Sequence, residues 1–219
     1  RALALPQHES VEVQMTCSRG SLPARIELHS RDNGAHQWNQ HAACSIVPVE
    51  RPSAEPLKCS DGRAMSSDAF YAQLAERGVE LVPQARLLAQ IEIGANSATA
   101  EFDLSESADQ SWQIVEAATQ CAAAAVLSDQ RPLVLSSAAS ITLKEHAGHC
   151  VVTATRRSEV PTVVDVEVTN GHQTVATLEG LVFRQVVPAF NEARDLYSVE
   201  WLRDERPLTH ATECGGWII

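Results

Sequence analysis

An α+β fold, with one buried helix wrapped by a curved antiparallel sheet, is what this 219-residue sequence predicts. Three observations carry that expectation. From Ile114 to Leu127 every residue is Ala, Val, Ile, Leu or Cys except Glu116, Thr119 and Gln120, and a helix apolar nearly all round must be buried. Two strand-like runs precede this helix and four follow it. The last two alternate (Val164, Val166, Val168) and meet at Asn170-Gly171, a strong hairpin signal. A sheet whose inner face covers the helix on most sides satisfies that order economically.

Taken along the chain, residues 10–17, 24–30 and 36–47 are three strand-like runs, separated by SRGSLP and by Arg31, Asp32, Asn33 and Gly34, a turn cluster suited to a hairpin. Residues 48–65 hold Pro48, Pro52 and Pro56 and read as a connection between two halves. SSDAFYAQLAERG then predicts a short helix, with Ser66 or Ser67 as N-cap, Phe70 and Leu74 on one face and Gly78 as C-cap. Strands are expected over 86–94 and 97–104, the long helix over 109–127, and strands over 133–144, 149–156, 162–168 and 173–186. Short helix, two strands, one buried helix and four strands make a hot-dog arrangement. Residues 1–47 add three strands without a comparable helix and read as the remainder of a second such unit, giving part of a double hot dog. The expected divisions are 1–47, 48–65, 66–187 and 188–219.

Seventeen basic against 28 acidic residues give a formal charge of -11. That balance disfavours nucleic acid and anionic membrane surfaces as partners and fits a soluble, cytoplasmic domain. No run reaches the roughly 18 apolar residues of a membrane span, and no signal peptide opens the chain. Cysteines at 17, 44, 59, 121, 150 and 214 form no C-x-x-C pair. They are expected as reduced, mostly buried thiols rather than a disulfide frame or zinc site. Beginning at Arg1 and ending on GGWII, the sequence reads as a piece of something longer.

Chemistry concentrates in SWQIVEAATQC, residues 111–121. An ionised Glu in a buried helix is expensive unless paired, and a buried Gln needs partners. At i and i+4, Glu116 and Gln120 share a face. Either both point out through a gap in the sheet, to solvent or a subunit neighbour, or both line a cleft where an acid and an orienting amide act on a substrate.

YAQLAERGVELVPQARLL, the acid with an amide four residues on, VATLEGLVFRQV, and WNQHAACSI upstream together resemble the dehydratase domain of modular type I polyketide synthases. The resemblance runs over about residues 1–187, and LYSVEWL at 196–202 resembles the lead-in to a ketoreductase region. It implies a double hot dog in which a His of the first half and an acid on the second half's helix remove water from a β-hydroxyacyl chain. That chain is tethered through phosphopantetheine to an acyl carrier protein, so no dissociable cofactor is implied. Partners would be the carrier protein and other domains of the same synthase, with a homodimer possible. In the family's pattern H-P-x-x-x-D-x-x-x-Q/H, Glu116 takes the acid position, Gln120 the amide position, and Ser111-Trp112 stand where His-Pro would be. The family's Y-G-P becomes Leu81-Val82-Pro83. The resemblance thus assigns catalysis to Glu116 with Gln120 orienting it, and substrate contact to Leu81, Pro83 and Trp112.

The family's base motif is H-x-x-x-G-x-x-x-x-P. None of the eight histidines has Gly four and Pro nine residues later; His41, for example, is followed by Ser45 and Glu50. The segment expected to carry this motif, with the first half's own helix, would lie before Arg1: either the chain is cut there or the protein lacks that part. Dehydration needs a base for the proton beside the carbonyl and an acid for the departing hydroxyl, so without that motif this chain alone is not expected to turn over. Glu in place of Asp also moves the carboxyl by about 1 Å, a displacement that can cost roughly 100-fold in rate.

Other candidates carry less. His146 and His149 have a metal-like spacing but fall in an expected turn, and His41, near Trp38, is expected to pack within the first sheet. No metal site, nucleophile elbow or dinucleotide loop is read. Competing readings are a degenerate domain kept as scaffold, favoured by Leu81, Val82, Ser111, Trp112 and Glu116, and a free-standing hot-dog thioesterase, disfavoured by the ketoreductase-like segment.

Overall fold

The structure, a computed structural model, describes residues 11–18, 23–32, 35–47, 62–104, 111–128, 133–144, 148–171 and 173–185. The chain divides into two compact units. One contains a three-stranded antiparallel sheet, β1 (Val11–Cys17), β2 (Ala24–Asp32) and β3 (Asn39–Ile46), with β2 in the centre. This matches the three expected runs, and β2 and β3 pair antiparallel as the turn cluster implied. Directly opposed residues share a face, so Val13, Met15, Ile26, Leu28 and Ile46 lie on one side. Glu12, Gln14, Glu27 and His29 lie on the other. His41 is the extra residue of a bulge in β3, half-buried within this sheet, its Nε2 2.7 Å from Ser30 Oγ.

The second unit holds an eight-stranded antiparallel sheet and two helices. Its strands are β4 (Arg63–Met65), β5 (Ala89–Ile93), β6 (Ser97–Leu104), β7 (Leu133–Ser137), β8 (Ser140–Leu143), β9 (Gly148–Glu159), β10 (Thr162–Asn170) and β11 (Gln173–Gln185). Their order is β4-β5-β6-β9-β10-β11-β7, with β8 also on β11. Helix α1 (Ser67–Glu76) precedes β5, and helix α2 (Ser111–Ala125) follows β6.

α1 begins and ends as its sequence demands. Ser66 Oγ accepts from Ala69 N at 3.3 Å, an N-cap bond. At the other end Gly78, at φ +84°, donates to Ala75 O while Val79 N reaches back to Leu74 O. This is a Schellman closure that needs a left-handed residue at that point.

α2 is the centre of the unit. Ile114, Ala117, Ala118, Cys121, Ala122, Ala124 and Ala125 are buried against the sheet. Facing them are Ala98, Ala100, Phe102 and Leu104 of β6, Cys150, Val152 and Ala154 of β9, and Val164, Val166 and Val168 of β10. Small residues along α2 let the strands approach closely: Cys121 Sγ lies 3.4 Å from Ala98 O and 3.6 Å from Val152 O. Each fully buried side chain such as Phe102 contributes about 2 kcal/mol to this core.

Several expectations are corrected. A short strand, β4, lies within 48–65, which reads as pure connection; a three-residue strand is too short to show periodicity. The strand expected from 86 starts at Ala89, because Pro83–Ala85 form a 3-10 turn. The run 133–144 splits into β7 and β8 at a bulge of their common neighbour β11. There Gly180 is at φ +62°, and a Cβ on it would stand 2.8 Å from Ala139 Cβ. β11 has one residue more than β10 at that point, and Asp165 Oδ1 accepts the Gly180 N–H at 2.8 Å. Asp165 is buried and also pairs with Arg157. The expected β10–β11 hairpin is present, with Gly171 at φ +57°.

Of the described cysteines, Cys121 and Cys150 are buried but Cys17 and Cys44 are exposed, against the expectation of mostly buried thiols; all four are thiols outside any disulfide. Cys17 and Cys44 lie on the outer strands of the three-stranded sheet, each opposite Ile26 of the central strand. Cys59, Cys214, His146, most of the proline-rich connection, the start of the long helix, Asn33-Gly34 and the ketoreductase-like segment lie outside the described residues. No helix among the described residues is long and apolar enough to cross a membrane.

Candidate active site

Trp112, Glu116 and Gln120 follow one another at i, i+4 and i+8 and form a single stripe on α2. Along it the surroundings grow drier. Trp112 is 41% exposed, Glu116 half-buried and Gln120 3% exposed. The acid therefore stands at the border between solvent and core, with the amide one turn deeper. Gln120 Nε2 donates to Glu116 Oε1 at 2.7 Å.

The depth of Gln120 is affordable because every polar position on its amide is used. Nε2 donates also to Ala85 O at 2.5 Å, while Oε1 accepts from the Tyr71 hydroxyl at 2.6 Å and from Leu87 N at 3.4 Å. These bonds hold three parts of the chain together: α1 through Tyr71, α2 through Gln120, and residues 85–88 leading into β5.

The same leading segment is gripped from the side of α1. Ser67 Oγ donates to Leu88 O at 2.8 Å, and Tyr71 accepts from Leu88 N at 2.9 Å. Ser67 and Tyr71 are four residues apart, on one face of α1, so both main-chain groups of Leu88 are satisfied by one helix face. Leu88 itself is buried. Tyr71 packs edge-on against Phe70, ring centroids 5.0 Å apart, and Arg86 lies over its ring at 5.6 Å. Burial pushes the Tyr71 hydroxyl above its ordinary pKa, with the negative charge of Glu116 adding to the effect; the Leu88 N–H and Arg86 oppose it. The hydroxyl is thus held neutral and able to donate.

Leu81 and Pro83 belong to the loop that carries Ala85. Pro83 opens the 3-10 turn and is exposed; Leu81 is half-buried against the core, and its carbonyl accepts from Arg86 Nε at 3.0 Å. The structure brings this loop to Gln120 through the Ala85 carbonyl rather than through either side chain. Glu116 and Gln120 meet directly, and Trp112 stands one turn before Glu116 on the same stripe. Glu116 stands at the border and Gln120 is enclosed, so the two do not both point out to solvent.

Sequence reasoning missed Tyr71. Its signal was present, a hydroxylated aromatic beside Phe70 on the face that Phe70 and Leu74 mark as buried, since a buried tyrosine hydroxyl requires a partner. His149 lies on β9, as the strand expected over 149–156 implied and not in the turn, with its Nδ1 2.9 Å from Asp103 Oδ1. Asp103 is exposed, between the buried Phe102 and Leu104, so this pair occupies the sheet face opposite α2. No group of His, Cys, Asp and Glu suited to a metal ion occurs among the described residues.

Residues 49–190 match the family model described as polyketide synthase dehydratase N-terminal domain. Among solved structures, the dehydratase domain of RzxB from Pseudomonas fluorescens is similar at 21% identity and a TM-score of 0.66, over 78% of this chain and 68% of that one. The dehydratase domain from the CurK module of the curacin polyketide synthase is similar at 16% identity and a TM-score of 0.67, over 86% and 73%. That from the CurF module matches at 17% identity and 0.67, over 85% and 73%. At these identities the likeness establishes a hot-dog dehydratase fold. No curated protein matches the chain.

Proposed function

This chain belongs to the polyketide synthase dehydratase family, and on that premise we propose that it acts on β-hydroxyacyl chains carried by phosphopantetheine on an acyl carrier protein. The product is the enoyl chain, and the setting is a multidomain synthase. The observation that supports this reading best is the 2.7 Å bond from Gln120 to Glu116 at the solvent border of a buried helix. It fixes one carboxyl oxygen and leaves the other for a substrate.

Loss of water breaks the C–H bond beside the thioester carbonyl and the C–O bond of the β-hydroxyl. A base takes the α-proton, the C–H electron pair becomes the new double bond, and the hydroxyl departs as water after receiving a proton. Glu116 is assigned that proton donation. Trp112, Leu81 and Pro83, near the exposed end of the stripe and in the loop beside it, are assigned to the acyl chain and its pantetheine arm. The base role goes to the family's histidine motif, which none of this chain's eight histidines matches.

A second reading has a specific observation in its favour. All four hydrogen-bonding positions of Gln120 are used inside the protein, as suits a structural tie in a domain kept as scaffold. One experiment separates the two. The chain is incubated with a β-hydroxyacyl thioester on carrier protein, with imidazole supplied as base, and mass spectrometry of the acyl-pantetheine follows loss of one water. Enoyl product from the wild type and none from Glu116→Gln supports the enzyme. No product, or equal product from both, leaves the scaffold.

A further inference from the structure

We propose that Tyr71 is a positioning residue that sets which end of the Gln120 amide faces Glu116. This rests on the reading of Glu116 as the acid. The oxygen and nitrogen of a glutamine amide fill nearly the same space, so packing alone lets the group turn either way. Its direction is decided by the donors and acceptors around it.

Leu88 N–H has one hydrogen to give, and the Tyr71 oxygen receives it at 2.9 Å. The Tyr71 hydrogen must then point elsewhere, and the atom 2.6 Å away is Gln120 Oε1. A second main-chain donor, Leu87 N, faces the same oxygen at 3.4 Å. The NH2 group is thereby turned to Ala85 O at 2.5 Å and Glu116 Oε1 at 2.7 Å. A reversed amide would set oxygen against the Ala85 carbonyl oxygen and place its NH2 against the Leu87 N–H. Donation therefore runs one way, from the Leu88 main chain through Tyr71 and Gln120 to Glu116. The neighbouring Phe70, fully buried, shows that this part of the core needs only an aromatic ring, so the hydroxyl answers a different need. Because Glu116 Oε1 accepts from Gln120, the acidic proton belongs on Oε2, the oxygen free to reach a departing hydroxyl.

The test uses the full chain with 15N in its glutamine side chains, the Gln120 signal being assigned by its loss in Gln120→Asn. Tyr71→Phe keeps the ring and removes the donor. The Gln120 NH2 hydrogens are expected to exchange with solvent about tenfold faster or more in this variant. In the imidazole-supplied assay its kcat is expected to fall roughly 10- to 100-fold, with KM within about twofold. A general loss of packing would move KM and stability without this split. Unchanged exchange overturns the proposal, as does an unchanged kcat in a chain whose wild type turns over. If the wild type shows no Glu116-dependent loss of water, the assignment of function falls, and the exchange measurement still decides the Tyr71–Gln120 link. Should Tyr71→Phe fail to fold, the wild-type chain grown on 3-fluorotyrosine replaces it. A fluorine signal that stays at its protonated position where the free amino acid has ionised supports the donating hydroxyl, and ionisation of both tyrosines at the free amino acid's pH overturns it.

Discussion

Gln120 and Glu116 lie one turn apart on α2 and share a 2.7 Å hydrogen bond, yet they differ in what depends on them. Glu116 is half-buried and is bonded through one oxygen; Gln120 is enclosed and bonded four times. Their substitutions should therefore separate. Glu116→Gln still offers an oxygen to Gln120 Nε2, so the melting temperature should stay within about 2 °C while loss of water from substrate disappears. Gln120→Leu strands the buried Tyr71 hydroxyl, at about 1–3 kcal/mol, and takes the partner from the half-buried Ala85 carbonyl. Thermal unfolding should place it roughly 5–10 °C below the wild type. Equal losses in the two variants would contradict the division.

Gly180 is a second point where one atom decides. Its φ of +62° is left-handed, and an added Cβ would stand 2.8 Å from Ala139 Cβ. Gly180→Ala should cost about 2–3 kcal/mol, from backbone strain and overpacking together. Adding Ala139→Gly removes the clash but not the strain, so the double variant should recover part of the loss and remain about 1 kcal/mol below the wild type. Denaturant unfolding of the three proteins measures this; full recovery would assign the whole cost to the contact.

Much of this fold was legible because its signals are local. The apolar α2 run, the Val164–Val168 alternation with Asn170-Gly171, and the Ser66 and Gly78 caps each specify an element within a few residues, and each is present. What escaped depends on partners far along the chain. β4 exists only by pairing with β5, and the break between β7 and β8 is imposed by the bulge at Gly180 on another strand. The same holds at the site. Glu116 and Gln120 are neighbours on one helix and could be paired from spacing. Tyr71, 49 residues before Gln120, and the Ala85 carbonyl join them only through the fold.

The thiols should divide by environment. Burial in the core, with the charge of Asp103 adding to it, pushes Cys150 from an ordinary 9.0 to about 11, whereas Cys17 and Cys44 are exposed. Only the thiolate reacts with alkylating reagents. At pH 8, iodoacetamide labelling followed by peptide mass spectrometry should modify Cys17 and Cys44 at least about tenfold faster than Cys121 and Cys150. Comparable rates at all four would contradict the buried placement.

The same shift has a consequence for stability. A folded-state value above the unfolded one means that the unfolded chain gives up its proton first as pH rises, so alkali favours unfolding. Cys150 contributes stability that is fully present below pH 9 and is lost as pH rises through about 11. Tyr71, also raised, adds a loss of the same sign in alkali. Urea unfolding at pH 8, 9.5 and 11 should show the wild type weakening more steeply than Cys150→Ala between the first two values. Parallel slopes there would remove Cys150 from the alkaline transition.

Gln90 carries the last prediction, because it sits in the left-handed region at φ +46° without being glycine. It is part of a bulge in β5: Ala89 pairs with Glu101 and Glu92 with Thr99, so β5 spends three steps where β6 spends two. The extra step falls two residues after Leu88, whose main chain is held by Ser67 and Tyr71. It lets the strand leave that grip and resume regular pairing with β6. A left-handed non-glycine residue costs about 1–2 kcal/mol, less for Asn and more for a β-branched residue. Gln90→Asn should therefore raise the melting temperature by roughly 1–3 °C, and Gln90→Val should lower it, although residue 90 is exposed. Shifts of the same sign in both variants would reject a left-handed bulge at this position.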